Sequence, residues 1–359
     1  MPISKCNNLG AVNCRSGKLA SDEAAKPNRL LEIGFAFRKS KILLSAVELD
    51  VFTALNNGPA DCDALAERVQ IHRRGARDFF DALVSLRLLN RDAAGRYSNA
   101  PDCDRYLNRH SADFVGGLFR HLNGRMYGIW GRLSGALCSG LPQSGALGDE
   151  GYDALYANQA TLDEFVQAMS ASSLLPARAI AVGFPWHKYA SFFDVGTAQG
   201  CVPVEIARVN PHLTGGGFDL PAVERSFTAY VSPRGLGDRL KFRGGDFLKD
   251  DLPSAGVLIM GRILHNWSLE TKRLLLDKAY RALPPGGALI VYDPMRDEAR
   301  TNSDALLAGL TMLLETREGF EYTANECRSW MKEAGFIEMQ LLPLEAGYLA
   351  VIGHKQEHR

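Results

Sequence analysis

The sequence predicts an α/β protein in two parts: a mostly α-helical N-terminal half and a doubly wound C-terminal domain built on a parallel sheet. Three observations predict it. The chain has 359 residues, enough for two domains at roughly 150 residues each. Its apolar periodicity is helical from Leu30 and changes to short strand-type runs at Ser191. Those runs alternate with helical stretches, which is the pattern of strands covered on both faces. The expected division is a loose tail over 1–25, a helical domain over 26–110, a helical linker and pocket region over 111–185, and the sheet domain over 186–359.

Composition narrows the function classes. Lys plus Arg total 41 and Asp plus Glu total 41, so the net charge is 41 − 41 = 0, which argues against a protein that works by neutralising phosphates. No stretch approaches the ~20 apolar residues of a membrane span, and the N-terminus lacks the apolar core of a secretory signal. Seven scattered cysteines without a C-x-x-C pair read as reduced thiols, neither a disulfide framework nor a zinc site. The reading is therefore cytoplasmic, with no membrane, nucleic-acid or metal partner.

In the N-terminal half, Ile42, Leu43, Ala46, Val47 and Leu49 sit near helical spacing, and Asn56-Asn57-Gly58-Pro59 stops that run. Asp61 can cap a second helix that places Leu65, Ala66 and Val69 on one face. A third helix is expected from Arg74 to Leu88, burying Phe79, Leu83, Leu86 and Leu88. A turn at Ala94-Gly95 before Tyr97 then closes a small hairpin. Three short helices and a hairpin outline a winged helix. Its bland reading is packing or dimerisation. Its sharp reading, DNA binding, is weakened because Asp61, Asp63, Glu67, Asp78 and Asp81 offset Arg73, Arg74, Arg77 and Arg87. Residues 110–185 read as helical throughout, apart from a Gly/Ser/Pro-rich break from Cys138 to Gly151, with a linking helix from Phe165 to Ala181.

Strands are expected at SFFDVG, GGGFDL, LKFRGGD, GVLIMGRIL and GALIVYD, with a helix from Lys272 to Leu283. Ligands of such sheets bind beyond the carboxyl ends of the strands. The first strand ends in Asp194-Val195-Gly196-Thr197-Ala198-Gln199-Gly200. Gly196 permits a tight turn against a ligand, Gly200 lets the following helix pack close, and Pro203 suits its first turn. The pattern is neither G-x-G-x-x-G nor a P-loop. Asp219, 25 residues after Asp194, ends the second strand, where a carboxylate can accept from both hydroxyls of a ribose. Asp246 and Phe247 end the third, where an adenine amino group and ring face would lie. His265 follows the fourth strand in Gly261-Arg262-Ile263-Leu264-His265-Asn266-Trp267, facing the same crevice.

D-V-G-x-x-x-G, F-D-L-P-x-V, G-D-F, L-H-N-W and L-P-P-G-G, in that order, resemble the S-adenosylmethionine-dependent O-methyltransferases of the plant caffeate, acetylserotonin and bacterial antibiotic-tailoring type. The resemblance covers about residues 30–353. It implies a Rossmann-like, doubly wound methyltransferase domain behind a winged-helix-like dimerisation domain. It implies S-adenosylmethionine as donor and S-adenosylhomocysteine as product. Gly196 would lie against the methionine part, Asp219 on the ribose, Leu220 and Phe247 around the adenine and Asp246 near its amino group, with Gly200 closing the turn. Met169 and Ser173 would close over the donor from the linking helix. Where plant members place a lysine this chain has Gly261, with Arg262 beside it.

The resemblance also implies that His265 is the general base, flanked by Asp293 and Glu321, with Glu315 a competitor for Glu321. A phenol of pKa ~10 needs a neutral imidazole, pKa ~6.5, to take its proton as a sulfonium methyl is attacked in line. Phe165, Asn266, Trp267 and Met312 would surround a small aromatic acceptor. A homodimer formed through the N-terminal helices would add a pocket wall, with candidates at Phe35 to Phe37 and Tyr127 to Trp130. A metal triad of His265, Asp293 and Glu321 is disfavoured because no second His stands at ligand spacing; His187 and His212 lie in other segments. Three readings stay open: an O-methyltransferase on an aromatic hydroxyl, a C- or N-methyltransferase on a similar acceptor, and a ligand-sensing winged-helix regulator with a degenerate methyltransferase fold.

Overall fold

The computed structural model describes residues 27–144 and 158–357. The expected tail over 1–25, and the part of the Gly/Ser/Pro-rich break from residue 145 onward, lie outside the described residues. The chain divides into two compact units, residues 1–41 and 42–359. In the first, the start of helix α1 (Asn28–Glu48) exposes Leu30, Leu31, Ile33, Phe35 and Phe37, and Arg38 stacks its guanidinium over the Phe35 ring at 4.2 Å.

The second unit opens with the end of α1, followed by α2 (Val51–Ala54), α3 (Cys62–Arg68), α4 (Arg73–Ser85) and the antiparallel hairpin of β1 (Leu89–Arg91) and β2 (Tyr97–Asn99). Asp61 caps α3 as expected, its Oδ1 accepting from the Ala64 amide at 2.9 Å. Phe52, Leu65, Phe80, Leu83 and Tyr97 are buried together. The third helix differs from expectation. It spans Arg73–Ser85, and Ala76, Phe80 and Leu83 form its buried stripe, with Phe79, Leu86 and Leu88 only partly buried. The helix stops early because Arg87 turns into the left-handed region at φ 60°, which makes Leu88 a connector to the hairpin.

Residues 110–185 are not helical throughout. After α5 (Pro101–Leu107), the side chains of Asn108 and Ser111 accept from the amides of His110 and Asp113, a local alternative to helix bonds. Then come α6 (Gly116–His121), a π turn over Leu122–Met126, α7 (Tyr127–Trp130) and α8 (Leu133–Ser139), which Gly140 ends at φ 67°. The linking helix α9 (Gln159–Gly183) is longer than expected at both ends, since Asn158 caps it through Ala160 and Thr161. By length and composition it is apolar enough to cross a membrane, contrary to the sequence reading. Here it is a core helix: Ala177, Ile180 and Ala181 pack with sheet residues such as Phe192 and Ile290, and Arg178 pairs with Asp113 and Glu205 at 2.6 and 2.9 Å.

The sheet comprises β3 (Ser191–Val195), β4 (Thr214–Asp219), β5 (Leu240–Gly244), β6 (Val257–Gly261), β7 (Ala288–Asp293), β8 (Ile337–Pro343) and β9 (Leu349–His354), in the order β5-β4-β3-β6-β7-β9-β8. The five expected strands are parallel. The expected wholly parallel sheet is corrected by β9, which pairs antiparallel with both β7 and β8. Alternate residues serve opposite faces. Val257 and Ile259 join the core with Phe192, while Leu258 and Met260 join the core with Leu275 and Leu276 of α12 (Leu269–Ala282). The chain runs β3-β4-β5 outward and then returns to place β6 on the other side of β3. That reversal opens a crevice at the carboxyl ends of β3 and β6. The remaining helices are α10 (Cys201–Val209), α11 (Glu224–Val231), α13 (Ser303–Glu315) and α14 (Ala324–Glu333).

Gly216 in β4 has φ 154°, and a Cβ there would strike the Lys241 carbonyl of β5. Gly216→Ala is expected to destabilise the protein by about 1–3 kcal/mol in denaturant titrations. Gly75→Ala at an exposed position of α4, where the added Cβ meets nothing beyond the helix's own backbone within 4 Å, should raise stability by roughly 0.5–1 kcal/mol.

Candidate active site

Gly196 leaves β3 with φ 73°, its amide bonded to the Phe218 carbonyl at 2.8 Å, and a Cβ there would run into the Ile263 side chain. Beside this turn, Asp219 ends β4 almost fully buried. Its Oδ2 accepts from the Ala198 amide and its Oδ1 from the Leu220 amide, both at 2.8 Å. Burial pushes its carboxyl up to about 6, against those two donors. Asp194 beneath it is pushed up to about 8 by burial, opposed by Thr197 and reinforced by Asp219. Phe247 reaches the Gly196 turn and meets Trp267 edge-on at 5.9 Å, while Leu220 is half-buried at the tip of β4. Gly200 starts α10 beneath Phe227 at φ 92°. Asp246 accepts from the Leu248 amide at 2.9 Å and pairs with Lys249 at 3.0 Å.

Arg262 follows β6 with φ 57°, and its Nη1 donates to the Ser172 hydroxyl and lies 3.5 Å from the Met169 sulfur of α9. Its Nε is buried without a hydrogen-bond partner. A Cβ on Gly261 would strike the Tyr292 ring, so a side chain at the position of the family lysine has no room. Ser173 meets the Tyr292 phenol. Phe165 lies edge-on to His121 at 6.2 Å, whose imidazole is pushed down to about 4 by burial and by the cations of Arg125 and Arg262.

His265 sits in a short 3-10 turn over Leu264–Asn266, only 3% exposed. Its Nδ1 is 2.6 Å from Glu321 Oε1 and 3.7 Å from Asp293 Oδ1. An ionised carboxylate only accepts, so the proton is on Nδ1 and Nε2 is the free base. The Tyr322 hydroxyl donates to Asp293 Oδ2, while Asp293 Oδ1 and Glu321 Oε2 are buried without partners. Burial opposes the imidazolium, yet Glu321 and Asp293 outweigh it and hold the His265 pKa above its ordinary value. Burial lifts Asp293 to about 6, with His265, Tyr322 and Lys272 opposing and Glu321 adding to the rise.

The structure therefore brings His265, Asp293 and Glu321 together, with Glu321 the direct partner. Glu315 is no competitor, since it pairs with Arg125 at 2.9 Å. Asn266 turns its amide onto the Arg262 and Ile263 carbonyls at 2.9 and 3.3 Å, holding the loop. Met312 is buried on α13, its carbonyl accepting from both the amide and the hydroxyl of Thr316. Sequence reasoning missed Ser172, Tyr292, Tyr322, Lys272 and His121. Tyr292 and Tyr322 each adjoin a singled-out acid and Ser172 adjoins Ser173, which was the available signal; Lys272 and His121 gave none.

The O-methyltransferase domain family matches residues 130–337, and the O-methyltransferase dimerisation domain family matches residues 31–109. The chain is 39% identical over 330 residues to the tetracenomycin polyketide synthesis 8-O-methyl transferase TcmO of Streptomyces glaucescens, covering 92% of this chain and 97% of that one. It is 36% identical over 314 residues to the N,N-dimethyltransferase OxyT of Streptomyces rimosus, covering 87% and 91%. Among solved structures, human N-acetylserotonin methyltransferase in complex with SAM superposes with a TM-score of 0.86 at 28% identity, covering 94% of this chain and 100% of that one.

A charge-assisted hydrogen bond contributes about 1.5–3 kcal/mol, or one to two pH units for the group it stabilises. Glu321→Gln is therefore expected to lower the His265 pKa by about one to two units in an NMR titration. Asp293→Asn should lower it less, because its oxygen stands beyond hydrogen-bond reach. Equal shifts would contradict the assignment of Glu321 as direct partner.

Proposed function

The chain belongs to the S-adenosylmethionine-dependent O-methyltransferases, and on that premise we propose that it methylates a hydroxyl of a small aromatic acceptor with His265 as general base. The observation that carries this reading is the buried His265–Glu321 pair with Asp293 behind it. The residues at the strand ends fit the donor. Gly196 leaves room that a Cβ would fill, Asp219 offers a buried carboxylate for a ribose diol, and the unpartnered Arg262 Nε is a donor for an anionic group. Leu220 and Phe247 would flank the adenine, Asp246 would lie near its amino group, and Met169 and Ser173 would cover the donor from α9. When bound, S-adenosylmethionine supplies a sulfonium methyl to an attacking oxygen and leaves as S-adenosylhomocysteine.

The acceptor hydroxyl gives its proton to His265 Nε2. Glu321 accepts from Nδ1–H, fixing tautomer and ring orientation, and Asp293 adds negative charge that stabilises the imidazolium as it forms. Phe165, Met169, Trp267 and Met312 supply aromatic faces and thioethers suited to a planar ring. That TcmO is named for 8-O-methylation in polyketide synthesis supports an aromatic hydroxyl of that general kind, in antibiotic tailoring. That OxyT is named an N,N-dimethyltransferase favours amine methylation as the second reading. We further propose a cytoplasmic homodimer formed through residues 26–110, to which the exposed Phe35 and Phe37 are suited, with Tyr127 to Trp130 as a pocket wall, residues 111–185 as pocket region and 186–359 as catalytic domain.

His265→Ala should reduce kcat by about 10²–10⁴-fold while the Kd for S-adenosylmethionine, measured by calorimetry, stays within about twofold. Because His265 must be neutral to act and its pKa lies above the ordinary 6.5, kcat/KM should fall with decreasing pH along a limb centred above that value. Asp219→Ala should abolish donor binding; affinity equal to wild type would remove the cofactor assignment. Incubation with labelled donor and a panel of phenols, catechols and anthranilates tests the acceptor class, and product on nitrogen alone would select the second reading.

A further inference from the structure

Lys272 is fully buried, with 0% of its surface exposed, although lysine is almost never buried unless paired. It is the fourth residue of α12, and its side chain runs inward. The ammonium donates to the Trp267 carbonyl and lies 3.4 Å from the centre of the Phe320 ring and 5.6 Å from that of Tyr322. Trp267 is two residues beyond His265, and Phe320 and Tyr322 bracket Glu321. One ammonium thus ties together the two segments that carry the base and its carboxylate partner.

We propose that Lys272 is a positioning residue for proton transfer, locking the His265 loop to the Glu321 segment and balancing the charge of the Asp293–Glu321 pair. This rests on the reading of His265 as general base. Asp293 and Glu321 carry two negative charges beside a neutral imidazole. Lys272 offsets part of this negative charge before transfer, and His265 offsets more of it once it has taken the acceptor's proton. Burial pulls the ammonium down to about 8, against Asp293, Glu321 and Glu326 and with Arg296 reinforcing, so it remains mostly charged at neutral pH. His265 itself faces Glu321, Asp293 and Arg262.

Removing a cation makes every proton of the cluster harder to lose, and the apparent values belong to the coupled set. Lys272→Met should move both the His265 NMR titration, assigned with His265→Gln, and the acid limb of kcat/KM upward by about one pH unit. At pH values below both limbs kcat/KM should fall roughly tenfold, with donor affinity unchanged. Lys272→Arg, which keeps the charge, should restore the wild-type profile. If Lys272→Met does not fold, Lys272→Gln keeps a donor for the Trp267 carbonyl without the charge and reads the same shift. A folded neutral variant with an unmoved titration and profile, whatever its melting temperature, overturns the proposal. Turnover that survives His265→Ala overturns the base assignment instead, and the titration then judges Lys272 by itself.

Discussion

Two carboxylates and an imidazole share a site that is nearly closed to water, and burying charge in that way is costly unless each group is answered by its neighbours. Much of the surrounding structure supplies the answers. Tyr322 donates to one oxygen of Asp293, His265 to one of Glu321, and Lys272 stands behind both. The segment that carries Glu321 is held for this purpose. The Gly319 amide donates to the Thr316 hydroxyl at 2.9 Å, and the Arg296 amide donates to the Tyr322 carbonyl at 2.9 Å. At Gly319 an added Cβ would lie 2.7 Å from the His265 carbonyl and 2.8 Å from that of Asn266. The His265 loop and the Glu321 segment are thus packed backbone against backbone, which fixes the geometry of the pair.

The sheet determines where this cluster can stand. Asp219, His265 and Asp293 come from or follow β4, β6 and β7, strands that all end on the same side as β3. The reversal of strand order beside β3 leaves that edge open, and both faces of the sheet are covered by apolar cores. Asp219 and the Asp293–Glu321 pair are therefore separated by the width of a few strands. They differ in how they are answered as well: Asp219 by two backbone amides, Asp293 by a phenol, an imidazole and an ammonium.

The strand ends were legible in the sequence because a buried parallel strand is a short apolar run, and its ligand-facing residue is the polar one that terminates it. Asp219 and Asp293 obey that rule, Asp194 stands one residue before the end of β3, and His265 stands four residues beyond β6. Glu321 was harder, since Glu315 ends α13 and Glu321 follows it closely, and local pattern does not separate them. What separates them is Arg125, 190 residues away in sequence, which engages Glu315. Lys272 was invisible for the opposite reason: a lysine in the first turn of an amphipathic helix reads as a solvated charge, and only the Phe320 and Trp267 contacts reveal it as buried. β8 was missed because it is an edge strand exposed along most of its length, and β9 because an antiparallel addition breaks the strand–helix alternation that betrays the others.

Gly261, Arg262 and Tyr292 depend on one another. The Tyr292 ring occupies the space that a side chain on Gly261 would need, so no lysine can stand there. Arg262, the next residue, adopts φ 57°, a conformation that costs a non-glycine residue about 1–3 kcal/mol and persists only where its surroundings enforce it. The enforcing contacts are with α9, where Ser172 and Met169 receive the guanidinium, and with Asn266, which holds the Arg262 carbonyl. Tyrosine, glycine and strained arginine therefore form one coupled arrangement. Gly261→Lys with Tyr292 left in place would create a clash and leave two cations in one crevice.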